Sequence, residues 1–345
     1  MTAQSILAPV VAAPKGWGGN MAVTTRRMLL AAPTILALAG RSAFAQGSWP
    51  DRPVRIVVSF TPGGTTDIIA RLVANQLTDR WKQSVVIENR PGAGGNIGTE
   101  QVVRSPADGY TLLVGSVGPL AVNQSLYRNV SYNTLRDLAP ITLLAGVPNI
   151  LVLAPKHRFT KVDELVALAR QQPGQISYGS TGVGTSAHLS GAMMAHMAKV
   201  EMVHVPYRGA VLLNDLLADR IDFSFATMPS VMEHVRAGRL KPLAVSSIRR
   251  SRATPEVPTM VECGFEGFDA SSWFGMAAPA GTPPEIVRKI ATDVAAILKQ
   301  PDIEKQMVEQ GADPVGNTPE EFASYIDQEI KRWREIVQIT GATVD

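Results

Sequence analysis

The sequence predicts an α/β protein with mainly parallel sheets and room for two domains. Three observations carry this. The chain has 345 residues, 45% hydrophobic and 18% charged, which is globular composition. Apolar runs rich in β-branched residues alternate with helical patterns. Three Gly-rich turns each follow a strand-like run, at the carboxyl ends of strands where open α/β sheets hold ligands.

The N-terminus comes first and reads as an export signal. Arg26 and Arg27 precede the apolar run Met28 to Ala39, which is too short to span a bilayer. Ala43-Phe44-Ala45 then supplies the small-x-small cleavage pattern before Gln46. "TTRRMLL" shares two arginines with twin-arginine signals, a pair common in any such leader. Residues 1–20 make an over-long leader, and Met21 is a second candidate start. The net charge of +3 belongs to this segment. Its cations Lys15, Arg26, Arg27 and Arg41 face no acid, and without them 29 Lys and Arg meet 30 Asp and Glu. A body so nearly neutral has no nucleic-acid footprint.

Strands are expected at 54–60, 84–89, 111–116, 149–154, 175–180, 201–207, 221–226 and 240–247. Helical patterns cover 65–82, 95–105, 162–172, 185–199, 209–219, 284–300 and 318–339. The Gly-rich turns are "TPGGTTD" (61–67), "RPGAGGNIG" (90–98) and "GSTGVGTSAH" (179–188). Such turns expose backbone N–H groups where helices start, which suits an anion. Two of them facing each other would close a cleft from both sides.

Several chemistries lack their residues. No Gly-Lys-Ser/Thr follows a glycine run, and no G-x-S-x-G elbow occurs. The five histidines lack the i, i+4 spacing of a helical metal pair. Cys263, the one cysteine, gives neither a disulfide framework nor a thiolate metal site. It also lies far from the cleavage site, so it is no lipid anchor. Neither a metal nor a cofactor is expected. One enzyme alternative stays open. "GVGTSA" (182–187) fits the G-x-G-x-x-A variant of a dinucleotide turn, with Glu201 as its expected acid. An NAD(P)-dependent oxidoreductase is therefore weighed against a binding module.

Seven ordered motifs decide the family. They are "FTPGGTTDIIAR" (60–71), "ENRPGAGGNIG" (88–98), "SPADGYTL" (105–112), "YGSTGVGTSAHL" (178–189), "HVPYRG" (204–209), "VPTMVECG" (257–264) and "WFGMAAPAGTP" (273–283). From about Pro50 onward the chain resembles the Bug-type solute receptors of tripartite tricarboxylate transporters. The resemblance implies a type II periplasmic-binding-protein fold: two doubly wound α/β domains joined by a two-strand hinge, with a ligand cleft between them. It implies domain 1 at 46–148 plus 268–345 and domain 2 at 149–267. The function implied is capture of a small carboxylate, whether a dicarboxylate, an amino acid or a nicotinate-like acid, for a transporter of that type or for sensing. No catalysis is implied. The expected partners are this small organic acid and the membrane subunits of a transporter, with the receptor a soluble periplasmic monomer. The chain departs from the family pattern at Ala192, at Ala218-Asp219 and in 210–214, which lacks a common proline.

The candidate ligand residues follow from the turns. Gly63 and Gly64 permit a tight turn, and the N–H groups after Gly64, beginning with Thr65, can meet a carboxylate. Asp67 either fixes a water or ligand donor, or serves the helix start alone. Thr181, Gly182, Gly184, Thr185 and Ser186 offer the opposite wall, with His188 beyond them. Phe60 covers an apolar part of the ligand or belongs to the core. Tyr207 and Arg208 sit at the rim, where Arg208 pairs with a second acid or is a solvated cation. Ser116 closes the set, and Asn89 and Asn96 are weaker candidates. Trp273 and Trp333 read as packing residues.

The leader generates the first prediction. Exported protein should start at Gln46, as read by N-terminal sequencing; an intact 28–39 segment would refute it.

Overall fold

The computed structural model describes residues 49–208 and 211–344. The apolar leader and its cleavage site lie outside them.

The chain begins with β1 (Val54–Val58), α1 (Thr65–Trp81) and β2 (Val85–Asn89). A 3-10 turn at Ala93–Gly95 leads into α2 (Asn96–Val103), and β3 (Thr111–Ser116) follows. A π-helical turn, Gly118–Val122, runs into the short α3 (Asn123–Leu126) and α4 (Thr134–Asp137), then β4 (Leu138–Val147). After Pro148 come β5 (Asn149–Leu153), α5 (Val162–Gln171), β6 (Ser177–Ser180), α6 (Ser186–Ala198) and β7 (Val203–Pro206). Next are α7 (Val211–Leu217), β8 (Phe223–Thr227), α8 (Met228–Arg236) and β9 (Lys241–Val245). The chain ends with β10 (Ser272–Pro279), α9 (Pro284–Leu298), α10 (Pro301–Glu309), β11 (Asp313–Pro314) and α11 (Pro319–Thr340).

Two sheets result. One has the order β11-β4-β10-β3-β1-β2, the other β7-β6-β8-β5-β9. The chain passes from the first to the second at Pro148 and returns between β9 and β10. Each expected strand and helical pattern contains a strand or helix. The expectation of mainly parallel sheets does not hold. β1 pairs in parallel with β2 and β3, and β6 with β7 and β8. The other pairs, made by β5, β10 and β4, are antiparallel. The reason is where these strands begin. β1, β3, β6 and β8 run toward one edge of their sheet and end there. β5 and β10 each start at that edge, just after a crossing, so they must run back against their neighbours.

Side chains alternate across the first sheet as a pleat requires. Ile56 and Val58 face α1 and α9, while Val57 and Leu113 face the opposite way. That second face joins a core shared with Leu151, Phe223 and Phe225 of the second sheet. α11 bridges the two, since it packs on both β4 and α6. The α11 carboxylate of Glu329 anchors it. Glu329 is buried and accepts from the indole N–H of Trp273 at 2.7 Å and of Trp333 at 2.8 Å. Arg332 holds its other oxygen at 2.9 Å and donates to the Asp269 carbonyl. Both tryptophans are therefore packing residues.

The crossings are tied together by Asn149. Its side chain donates to the Ala270 carbonyl at 2.7 Å and accepts from Ser186 at 3.2 Å. Its N–H donates to Ser246. At the Ala218-Asp219 departure, Asp219 takes a left-handed φ of 59°. A carboxylate tolerates this better than most side chains, and here it also accepts from the Lys156 N–H at 2.7 Å.

Glu329→Leu should leave two buried indole N–H groups without an acceptor. The expected loss of stability is about 2–4 kcal/mol by urea denaturation.

Candidate functional site

The strand ends that point to one edge define the site. Val58, Ser116, Ser180 and Thr227 close β1, β3, β6 and β8 around a cavity of about 670 Å³. Four helices start on its wall. α1 does so through Gly64, Thr65 and Thr66, α2 through Gly95 and Ile97, α6 through Thr185, Ser186 and Ala187, and α8 through Thr227 and Ser230. Two of these helices follow strands of each sheet. The first-turn N–H groups of a helix lack intrahelical acceptors, and each helix start carries roughly half a positive charge. Arg208 is the only charged side chain among the described residues lining the cavity. The field is positive, yet it comes mostly from backbone.

The α1 start shows how sequence creates this. Its N-cap, Gly64, has no side chain to satisfy the first turn. Asp67 lies at the third helical position and turns backward. Its carboxylate accepts from the Gly63 N–H at 3.0 Å, from Arg71 at 2.9 Å and from Asn89 at 2.9 Å. Asn89 also donates to the Phe60 carbonyl at 3.0 Å, which ties down the strand end. Burial pushes the Asp67 carboxyl upward. The bonds from Arg71, Gly63 and Asn89 outweigh it and hold the group below the ordinary carboxylate range. Asp67 thus consumes one N–H behind the turn and leaves those of the first helical turn to the cavity.

The opposite wall differs. Thr185 caps α6 by accepting from the His188 N–H at 3.3 Å and donates its own proton to the Gly182 carbonyl at 2.8 Å. His188 sits behind the turn, where Nδ1 accepts from the Gly184 N–H at 3.3 Å. It stacks on His204 with ring centroids 4.0 Å apart. His204 Nε2 meets the Ser180 hydroxyl at 2.7 Å, and that hydroxyl also accepts from the Gly182 N–H. Two histidines and a serine therefore brace the turn from inside.

The two walls touch at two places. Thr65 Oγ1 and Thr227 Oγ1 are 2.6 Å apart. Elsewhere the Gly94 and Gly184 turns approach closely. A Cβ on Gly94 would lie 2.9 Å from the Val183 carbonyl oxygen, and one on Gly184 2.6 Å from Asn123 Oδ1.

Of the residues singled out from sequence, Phe60, Gly63, Gly64, Thr65, Ser116, Thr181, Gly182, Thr185, Tyr207 and Arg208 lie on the cavity wall, as does Ser186. Asp67, Gly184 and His188 do not. Asp67 and His188 have internal partners, and Gly184 faces the neighbouring wall. Asn89 and Asn96 also stand behind the surface. Sequence reasoning singled out the 90–98 turn but named none of its wall residues, Pro91 to Gly95 and Ile97, and it missed the α7 leucines Leu212, Leu213 and Leu216 and the α8 start with Val231. Thr227 and Pro229 marked that helix start. The leucines gave no signal, because a helical leucine reads as core.

Two α/β sheets whose strand ends enclose one cavity, with helix starts in its wall, define a cleft-type solute-binding protein. The chain belongs to the tripartite tricarboxylate transporter receptor family, which it matches over residues 69–342. Protein BugT of Bordetella pertussis is 38% identical over 319 residues, 92% of this chain and 98% of that one. Rpa4515 of R. palustris, solved with adipate, gives a TM-score of 0.84 at 38% identity, over 86% of this chain and 100% of its own. MatC of Rhodopseudomonas palustris, solved with bound malate, gives 0.79 at 29% identity, over 84% and 99%. The protein is a solute receptor and not an enzyme. The dinucleotide alternative finds no support: Glu201, the acid it required, precedes β7 instead of ending it.

The histidine pair generates a pH prediction. Burial holds both imidazoles below their usual 6.5, and His188 pushes His204 down further. A depressed folded value means that this stability is present above pH 6.5. It is lost as pH falls, because the unfolded chain binds the protons first. Between pH 7.5 and 4.5 the loss should be on the order of 1–3 kcal/mol by urea denaturation, and smaller in His204→Gln.

Proposed function

We propose that the protein is a periplasmic receptor that captures one small carboxylate in this cleft and delivers it to transporter subunits. The observation that carries the reading is the convergence of four helix starts on one cavity lined, among the described residues, by a single cation. Such a site favours an anion of about one charge and contacts it through N–H groups. The relatives solved with adipate and malate point the same way. Charge-assisted bonds contribute roughly 1.5–3 kcal/mol each, so three or four reach the ~8 kcal/mol of micromolar binding after ordering costs.

Several finer statements belong to this proposal. The leader directs export, which agrees with the absence, among the described residues, of a helix able to cross a membrane. The receptor acts as a monomer without metal or cofactor. Residues 46–148 with 268–345, and residues 149–267, move as two bodies about the crossings near Pro148 and Ser272. The ten wall residues named from sequence, together with Ser186, contact the acid, and Arg208 at the rim meets a second acidic group if one is present.

Proline tests the N–H groups directly. Thr65 and Ser186 are the first helical residues of α1 and α6, positions that accept proline. Gly64 and Thr185 before them are already extended, as a residue before proline must be. Thr65→Pro and Ser186→Pro each delete one N–H. Thr65→Ala and Ser186→Ala delete only the hydroxyls. Calorimetry with the tightest acid of a small-carboxylate panel should show each proline variant at least about tenfold weaker than its alanine counterpart, or ~1.4 kcal/mol. Circular dichroism should be unchanged. Equal affinities would show that the helix starts do not hold the acid.

A further inference from the structure

We propose that the cleft selects an organic acid with a bulky hydrocarbon body, and that α7 makes the selection through Leu212, Leu213 and Leu216. The inference rests on the receptor reading and narrows its ligand. The wall is not made of helix starts alone. In the second lobe the three leucines and Val231 of α8 also line the cavity, and in the first lobe Phe60 and Ile97 do. Leu212 and Leu216 also belong to the second lobe's own apolar core with Val231. This part of the wall is therefore a packed hydrophobic cluster opened to one side.

The serines on the same wall have already donated their protons. Ser224 donates to the Gly179 carbonyl at 2.8 Å, and Ser230 to the Thr227 carbonyl at 2.7 Å. Thr227 and Thr65 take each other. No carboxylate lines the cavity among the described residues. The nearest acid, Asp67, faces away with three donors on its oxygens. An ammonium group would be buried here without a counter-charge, which disfavours binding. A ring or alkyl chain meets no such penalty and gains from leaving water. The site thus fits a carboxylate head at the helix starts and an aromatic or alkyl body against α7. It disfavours an α-amino acid, and a small hydroxy-diacid leaves the leucine wall uncovered.

Leu213 is the position to test, because it is only partly buried, unlike Leu212 and Leu216. Calorimetry with phenylacetate, octanoate, malate and glutamate should show phenylacetate or octanoate binding at least tenfold more tightly than the other two. Leu213→Asn, of similar size, should weaken the apolar acid at least tenfold more than it weakens malate. Leu213→Met should retain the wild-type ranking. Tighter binding of malate or glutamate overturns the selection and leaves the carboxylate receptor standing. A uniform loss across all four acids in Leu213→Asn also overturns it. Binding of none of the four overturns both readings.

Discussion

The carboxylate of Asp67 decides which backbone groups the cleft can use. It is committed to Gly63, Arg71 and Asn89, and through Asn89 to the end of β1. The turn between β1 and α1 is thereby closed from behind, on the side away from the cavity. Because Gly64 offers no side-chain cap, the N–H groups of the first helical turn keep their hydrogen-bonding capacity. The facing turn reaches a similar result by other means. Thr185 satisfies one amide of α6, the histidine pair supports Gly184 and Ser180 supports Gly182. Each wall is rigid because its side chains are spent on its own turn.

The strand directions follow from the same geometry. A chain that crosses between lobes at the cleft must start its next strand there and run outward. β5 and β10 do so, and both become antiparallel intruders in otherwise parallel neighbourhoods. Asn149 stands at the first crossing, bonded to the second crossing and to the α6 start. One residue thus ties the two crossings to the α6 start.

Much of this was legible in the sequence. The eight expected strands are present because β-branched runs bounded by turns leave few alternatives. β4 was missed since Pro140 interrupts its run, yet the strand accommodates it beside a register shift. Among the residues of the Gly-rich turns named from sequence, Gly63, Gly64, Thr65, Thr181, Gly182, Thr185 and Ser186 lie on the cavity wall. Asp67 and His188 stand off the cavity wall for a common reason. A polar residue in the first turn of a helix can point forward to a ligand or back into its own loop. Spacing does not distinguish the two; only the partners do, here Arg71 and Asn89 for one and Gly184 for the other. The α7 leucines were invisible because apolar periodicity reports burial and not what the residue is buried against.

The uncapped start of α1 also bears on how such a receptor diverges. An amide proton is present whichever non-proline residue occupies a position. Under the proposed function, point mutations that drift through Thr65, Thr66 or Ser186 therefore leave the layer of N–H groups largely in place. Side chains on the remaining wall are free to vary with little risk to that layer. A lineage of duplicated copies can explore new solutes by changing a few wall positions, each descendant inheriting its affinity for acids without having to evolve it again.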